Sequence, residues 1–214
     1  MRSKKLVTFL IVAVALLFVP IVAQQFGNAW VRIVDIALLY VLLALGLNIV
    51  VGYAGLLDLG FVAFYAVGAY MYALLASPHL SENFEGFKAM FPNGLHTPIW
   101  VVIPAAAGLA ALAGVLLGTP VLKLRGDYLA IVTLGFGEII RVFMNNLEHP
   151  VNITNGPRGL DRIDPMNIFG FSFGKAIEIG GFTIPSVTLY YWLFLVLVVI
   201  SLVVCYRLEN SRIG

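Results

Sequence analysis

The chain has 214 residues, 61% of them hydrophobic and 11% charged, with a formal net charge of +2 and a mean hydropathy of +0.97. Soluble domains carry roughly 25% charged residues, so this composition excludes a water-soluble globular enzyme and indicates a polytopic membrane protein. The scattered Lys and Arg residues make no basic patch for nucleic acid, and the single cysteine, Cys205, reads as an inert thiol inside an apolar run.

Six apolar segments are each long enough to cross a hydrocarbon core of about 30 Å: 6–24, 30–51, 56–76, 98–121, 128–147 and 187–206. The predicted fold is all-α, a membrane bundle of about six transmembrane helices forming one domain over 1–214, with a structured outer loop at 148–186. The apolar run after Lys5 is longer than a signal-peptide core and no cleavage site leads into a polar mature domain, so it reads as a retained first helix. With a cytoplasmic N-terminus, Arg2, Lys4, Lys5, Lys123, Arg125, Arg207 and Arg212 crowd short inner segments. Lys88, Arg158, Arg162 and Lys175 then fall in two long outer loops, which is the positive-inside pattern. Trp30, Trp100 and Trp192 all sit near proposed outer helix ends, as an aromatic belt requires.

The second and third apolar runs meet inside Leu43 to Tyr70, LALGLNIVVGYAGLLDLGFVAFYAVGAY. The Gly52-Tyr53-Ala54-Gly55 tetrapeptide is hard to keep helical, and Asp58 follows within a turn. Irregular backbone at membrane depth persists only where protein or a water-filled cavity satisfies its polar groups. An ionisable side chain beside it marks a functional-site hypothesis. In the third span Ala66, Ala69, Ala73 and Ala76 make a small-residue face for close helix approach, while Phe61, Tyr65 and Tyr72 project elsewhere. Gly114 and Gly118 in the fourth span form a GxxxG, a weak packing signal.

The loop 77–97 holds His79 and His96, which read as solvated residues, not metal ligands. The following span carries Tyr128, Gly135, Glu138, Arg141 and Asn145 close to one helical face. Glu138 lies about 16 Å along the helix from Asp127 at 1.5 Å per residue, near mid-membrane. A charge there costs at least about 2.5–3.5 kcal/mol facing lipid, so the stripe faces protein or a path, either as a mutual Glu138–Arg141 ion pair or as a substrate route. In the second outer loop, Ile177 to Ile184 reads as a hairpin turning at Gly180 and Gly181. No catalytic residues, cofactor or metal site are expected: G-x-S-x-G, H-E-x-x-H and Walker A patterns are all missing from the sequence.

Several of these stretches together carry a resemblance. Leu45-Gly-Leu-Asn-Ile-Val-Val-Gly-Tyr-Ala-Gly55, Leu59-Gly-Phe61 and Gly68-Ala-Tyr70 look like the N-terminal signature of permeases of bacterial branched-chain amino acid ABC importers. Leu124-Arg-Gly-Asp-Tyr-Leu-Ala130, Thr133-Leu-Gly135, Glu138-Ile-Ile-Arg141 and Thr154-Asn-Gly-Pro-Arg-Gly-Leu160 are similar to later signatures of the M-type member of the two-permease pair. The resemblance covers about residues 30–214 and implies four kinds of partner in the bacterial inner membrane. They are a second homologous permease, two cytoplasmic ATPase subunits, a periplasmic substrate-binding protein and the bilayer itself. It implies a translocation path around the Gly52 to Gly60 segment and the Gly126-Asp127-Tyr128 turn, with Asn155 and Gly156 as outer-side contacts. Taken with the polar helix faces, the hypothesised substrate path is Asn48, Gly52, Gly55, Asp58, Tyr65, Tyr128, Gly135, Glu138 and Arg141. Permeases of this type continue past a motif like Arg207 to Gly214 into a coupling helix, so the chain reads as an N-terminal portion.

The expected function is that of a transmembrane permease subunit of an ATP-driven importer for branched-chain or other small apolar amino acids, with ATP hydrolysis in partner subunits. Three alternatives stay open on the residues alone: a urea or short-chain amide importer, an ATP-independent channel or carrier, and a non-transporting scaffold.

Overall fold

The computed structural model describes residues 2–121, 124, 126–168, 170–179 and 182–210. Lys123, Arg125, Arg212, the Gly180–Gly181 turn and the motif's end at Gly214 lie outside the described residues. The chain is mostly α-helical: α1 (Arg2–Gln25), α2 (Asn28–Asn48), α3 (Val62–Leu75), two short helices α4 (His79–Asn83) and α5 (Glu85–Met90), α6 (Ile99–Val121), α7 (Asp127–Asn146) and α8 (Ser186–Glu209). Among the described residues, three helices are long and apolar enough to cross a membrane: Asn28–Tyr53, Ile99–Leu116 and Ser186–Glu209. The third of these begins about where sequence periodicity places it, and Trp192 sits in its second turn. The chain forms two compact units, 1–49 with 173–214, and 50–172.

In the first unit α1, α2 and α8 pack on one another, with Val31 from α2 and Leu189, Tyr191, Leu195 and Val198 from α8 in the core. Cys205 is buried there as a free thiol, in keeping with its apolar run. Pro20 lies inside α1. A proline has no N–H, so the carbonyl four residues earlier, that of Leu16, loses its helical donor. In an apolar setting that acceptor needs another partner, and the Tyr191 hydroxyl of α8 donates to it at 2.8 Å. Trp192 Nε1 donates to the next carbonyl, Leu17, at 3.4 Å. The defect that proline introduces thus becomes the polar contact between α1 and α8. On α2 and α8, Asp35 and Thr188 are also buried, and Asp35 Oδ1 and Thr188 Oγ1 have no partner among the described residues.

In the second unit α3 packs against α6 and α7. Ala63, Ala73 and Ala76 are buried with Ile99, Val102, Leu129 and Ala130, so the small-residue face serves close packing as expected, although Ala69 is exposed. A Cβ at Gly114 would lie 3.8 Å from the Phe64 ring, whereas one at Gly118 has nothing described within 4 Å. The predicted third span needs correction at its start. Residues 54–61 are not helical, and α3 has only 14 residues, because the chain leaves α2 through a π-helical turn, Ile49–Tyr53, and then runs irregularly.

The loop 77–97 carries α4 and α5, which sequence patterning did not foresee. Beyond α7, Asn167–Ile168 pairs antiparallel with Phe171–Ser172 (β1, β2), and Ile177–Ile179 with Phe182–Ile184 (β3, β4). The second pair is the expected hairpin, with Ile177 opposite Ile184 and Glu178 opposite Thr183.

Replacing Tyr191 by Phe should strand the Leu16 carbonyl and lower stability by about 1–2 kcal/mol. In a Pro20→Ala background, where residue 20 supplies its own N–H, the same change should cost less than half as much. Unfolding of the four variants in mixed micelles measures this cycle, and equal costs in both backgrounds would refute the contact's origin.

Candidate functional site

The break after α2 is satisfied by protein. Leu56 N–H donates to the Val50 carbonyl at 3.1 Å, and Gly55 takes a positive φ of 65°. The Asp58 carboxylate accepts the Gly60 N–H at 2.8 Å, closing a local turn. The Leu59 N–H crosses to α7, where Thr133 Oγ1 accepts it at 3.0 Å, and the Thr133 hydroxyl in turn donates to the Ala130 carbonyl at 3.1 Å. Thr133 is buried, so this donor is held away from solvent. Gly60 is buried against the same turn: a Cβ there would collide with the Thr133 carbonyl oxygen. One turn on, a Cβ at Gly137 would lie 3.4 Å from Gly60 Cα. Two glycines and one threonine therefore let irregular backbone lie directly on a helix. Asp58 acts first as a turn-former for the segment.

Beside this junction lies a groove of about 330 Å³. One wall is Leu59, Gly60, Val62, Ala63, Ala66 and Tyr70; the other is Leu134, Gly137, Ile140 and Met144 with Glu138, Arg141 and Asn145. It is mostly apolar, with a carboxylate, a guanidinium, an amide and a phenol at its margins, a composition suited to a small ligand with an aliphatic part and a polar head. Glu138 and Arg141 are paired, through Arg141 Nε to Glu138 Oε2 at 2.9 Å and a second bond from Arg141 Nη2 to Oε1. The fork is an i, i+3 pair with both side chains more than half exposed.

The structure thus brings Glu138 and Arg141 to the groove, next to the Asp58 turn. Tyr128 and Gly135 are exposed and Tyr65 is 43% exposed; none of the three lines the groove. The stripe on α7 is divided, since Thr133, Gly137, Ile140 and Met144 occupy the packed face and Glu138, Arg141 and Asn145 its edge, while Tyr128 and Gly135 lie round the cylinder. Asn48 is the last residue of α2, Gly52 is in the π-helical turn and Gly55 in the break. Gly126, at φ 61°, turns the chain into α7 ahead of Asp127.

Asn155 and Gly156 belong to a knot at the C-terminal end of α7. Thr154 is almost fully buried and its hydroxyl donates to the Met144 carbonyl at 2.6 Å. Asn155 adopts φ 59°, with its N–H on Asn152 Oδ1 at 2.9 Å and its amide nitrogen on the Gly159 carbonyl at 2.8 Å. A Cβ at Gly156 would meet Glu148 Oε2 at 2.7 Å.

A neighbouring clasp went unread in the sequence. Asp164 receives His96 Nδ1 on its carboxylate, its N–H donates to the Ala76 carbonyl at 2.7 Å, and its carbonyl accepts from the Tyr72 hydroxyl at 3.1 Å. His96 Nε2 lies 2.8 Å from the Asn93 carbonyl. Both ring nitrogens face acceptors, an arrangement that favours the imidazolium over either neutral tautomer. Accordingly the bond to Asp164 foremost, and that to Asn93, raise the His96 pKa above its ordinary value. No sequence signal links positions 96 and 164.

A mostly helical chain in which, among the described residues, three apolar helices are long enough to cross a membrane is a polytopic α-helical membrane protein. The chain belongs to the family described as branched-chain amino acid transport system / permease component, whose model matches residues 29–214. It is 41% identical, over 98% of its length, to the high-affinity branched-chain amino acid transport system permease protein LivM of Escherichia coli strain K12. It is 40% identical to the LivM protein of Salmonella typhimurium strain LT2. The chain spans 46% of the length of each of these relatives. No solved structure matches it.

Thr133→Val should orphan the Leu59 N–H and destabilise by about 1–2 kcal/mol, with Thr133→Ser close to neutral; Gly60→Ala should cost about 1–3 kcal/mol by overpacking. Detergent denaturation checks both, and a neutral Gly60→Ala would mean the segment does not lie on α7.

The His96 clasp should weaken with alkalinity. A raised folded pKa means the stabilisation is fully present below the ordinary value of about 6.5 and is lost as pH rises through the raised one. Hydrogen exchange around Asp164 against pH should show this in the wild type and be flat in His96→Gln.

Proposed function

We propose that the chain is the membrane-embedded permease part of an ATP-driven importer for branched-chain amino acids. The observation that carries this reading is the groove beside Gly60, where an apolar lining meets Glu138, Arg141, Asn145 and Tyr70 next to the break. An aliphatic zwitterion needs both kinds of surface. The names of the two LivM relatives support the substrate class. On this reading the domain at 1–214 is one permease domain of about six spans, counted from the apolar runs, with a cytoplasmic N-terminus in the bacterial inner membrane. The region 148–186 is its outer loop. Asn48, Gly52, Gly55, Asp58, Tyr65, Tyr128, Gly135, Glu138 and Arg141 belong to the path or its walls, and Asn155 and Gly156 to the surface met by a periplasmic binding protein. A second permease completes the channel. Two ATPase subunits drive alternating access, hydrolysing the nucleotide that this chain has no motif to bind.

Glu138 and Arg141 already neutralise each other, so a charge-reversal test separates structure from transport. In a complete complex, Glu138→Ala and Asp58→Ala should each reduce leucine uptake about tenfold or more with assembly intact, the loss of about one charge-assisted contact. The double reversal Glu138→Arg with Arg141→Glu should restore the helix pair and assembly but not uptake. Full uptake in the reversal, or normal rates in both alanine variants, would reject these residues as path groups. Competition of labelled leucine by unlabelled urea would move the substrate class to amides.

A further inference from the structure

A second cavity, of about 260 Å³, lies where α4 faces the loop that follows α7. It is polar almost throughout: among the described residues Pro78 is the one apolar member of a lining that includes His79, Glu82, Asn83, Asn155, Asp161 and Arg162. We propose that this cleft binds the headgroup of a free α-amino acid, with the Asp161 carboxylate taking the ammonium and the Arg162 guanidinium the carboxylate.

Side chains of consecutive residues in extended chain point to opposite sides. Here Arg162 takes a left-handed backbone, φ 56°, an unfavourable conformation for a residue with a Cβ, and Asp161 and Arg162 line the same cavity. The conformation is held from both sides. Arg162 Nη2 donates to Glu82 Oε2 of α4 at 2.6 Å, and two residues on, Asp164 is bound to His96, Ala76 and Tyr72. Strain of this kind persists where surrounding structure over-determines it, and it collects at ligand sites.

The charges suit a zwitterion. Glu82 uses one of the five guanidinium donors, so Arg162 keeps donors for a second carboxylate. Asp161 is exposed and has no ion pair among the described residues. The lining holds two carboxylates, Glu82 and Asp161, and one guanidinium, so a simple anion meets net repulsion, while a molecule carrying both charges one carbon apart can satisfy Asp161 and the free Arg162 donors together. The amides are fixed in advance, with Asn83 Nδ2 on the His79 carbonyl at 2.9 Å and Asn155 Nδ2 on the Gly159 carbonyl at 2.8 Å, which leaves the Asn83 oxygen as a further ammonium acceptor. With so little apolar lining, the cleft reads the part common to all amino acids and leaves the side chain outside. The groove beside Gly60 has the opposite composition, so the two sites are separable.

The test uses the chain of residues 1–214 in lipid nanodiscs, without ATPase or binding protein, so its outcome is independent of the transport reading. Equilibrium binding of labelled L-serine and L-leucine is measured, with isoamylamine and 4-methylpentanoate as analogues that each lack one charge. Serine and leucine should bind within about threefold of each other, and each analogue, Asp161→Asn and Arg162→Gln should be about tenfold weaker or worse. Glu85→Gln, on α5 and outside the cleft lining, is the control for folding and should retain binding. The proposal is overturned by absent saturable binding, by the amine matching leucine, or by a strong preference for leucine over serine. It is overturned equally if Asp161→Asn retains binding, or if only Glu138 and Arg141 variants lose binding, which would put the ligand in the groove.

Discussion

The second unit depends on one hydrogen bond and the absence of two side chains. A chain that leaves a helix inside an apolar region exposes amide groups that lipid cannot satisfy. The Leu59 N–H finds Thr133 on α7, and it can do so because Gly60 and Gly137 let the two backbones touch. Remove the threonine and a buried donor is orphaned; add a methyl at Gly60 and the segment must lift off α7. The groove follows from this contact, since its walls are the two elements that the contact joins.

The first unit answers the same constraint by other means. Pro20 opens α1 at the Leu16 carbonyl, and Tyr191 closes it from α8. In both units, then, the polar link between helices is generated by a defect in one of them. Between apolar helices in lipid, where burial supplies little net attraction, such hydrogen bonds and close small-residue packing are what select a partner and a register.

Around α4 and the loop after α7, aqueous electrostatics takes over. His96 with two acceptors, Arg162 with Glu82 and the Thr154–Asn155–Gly156 knot pin loop segments far apart in sequence to the ends of α3 and α7. Charged and amide groups make these long-range ties, while apolar loop residues such as Met90, Phe91 and Ile163 stay exposed. The His96 imidazole, whose pKa the bond to Asp164 raises, links part of that order to pH.

Composition and apolar runs alone determined a polytopic helical membrane protein, because the cost of exposing apolar surface and burying charge is local and additive. The break near Gly52 to Gly60, the alanine face of α3 and the hairpin at 177–184 were legible for the same reason: glycine freedom, small volume and alternation are properties of neighbouring residues. The Leu59-Gly-Phe61 and Thr133-Leu-Gly135 motifs were both visible, but not that they touch. The division of the α7 stripe, Tyr191 on Leu16, and His96 on Asp164 joined residues from 68 to 175 positions apart. Periodicity assigns a residue to a helix face, yet only packing decides which face meets a neighbour. That is why Glu138 and Arg141 came to the groove and Tyr65, Tyr128 and Gly135 did not.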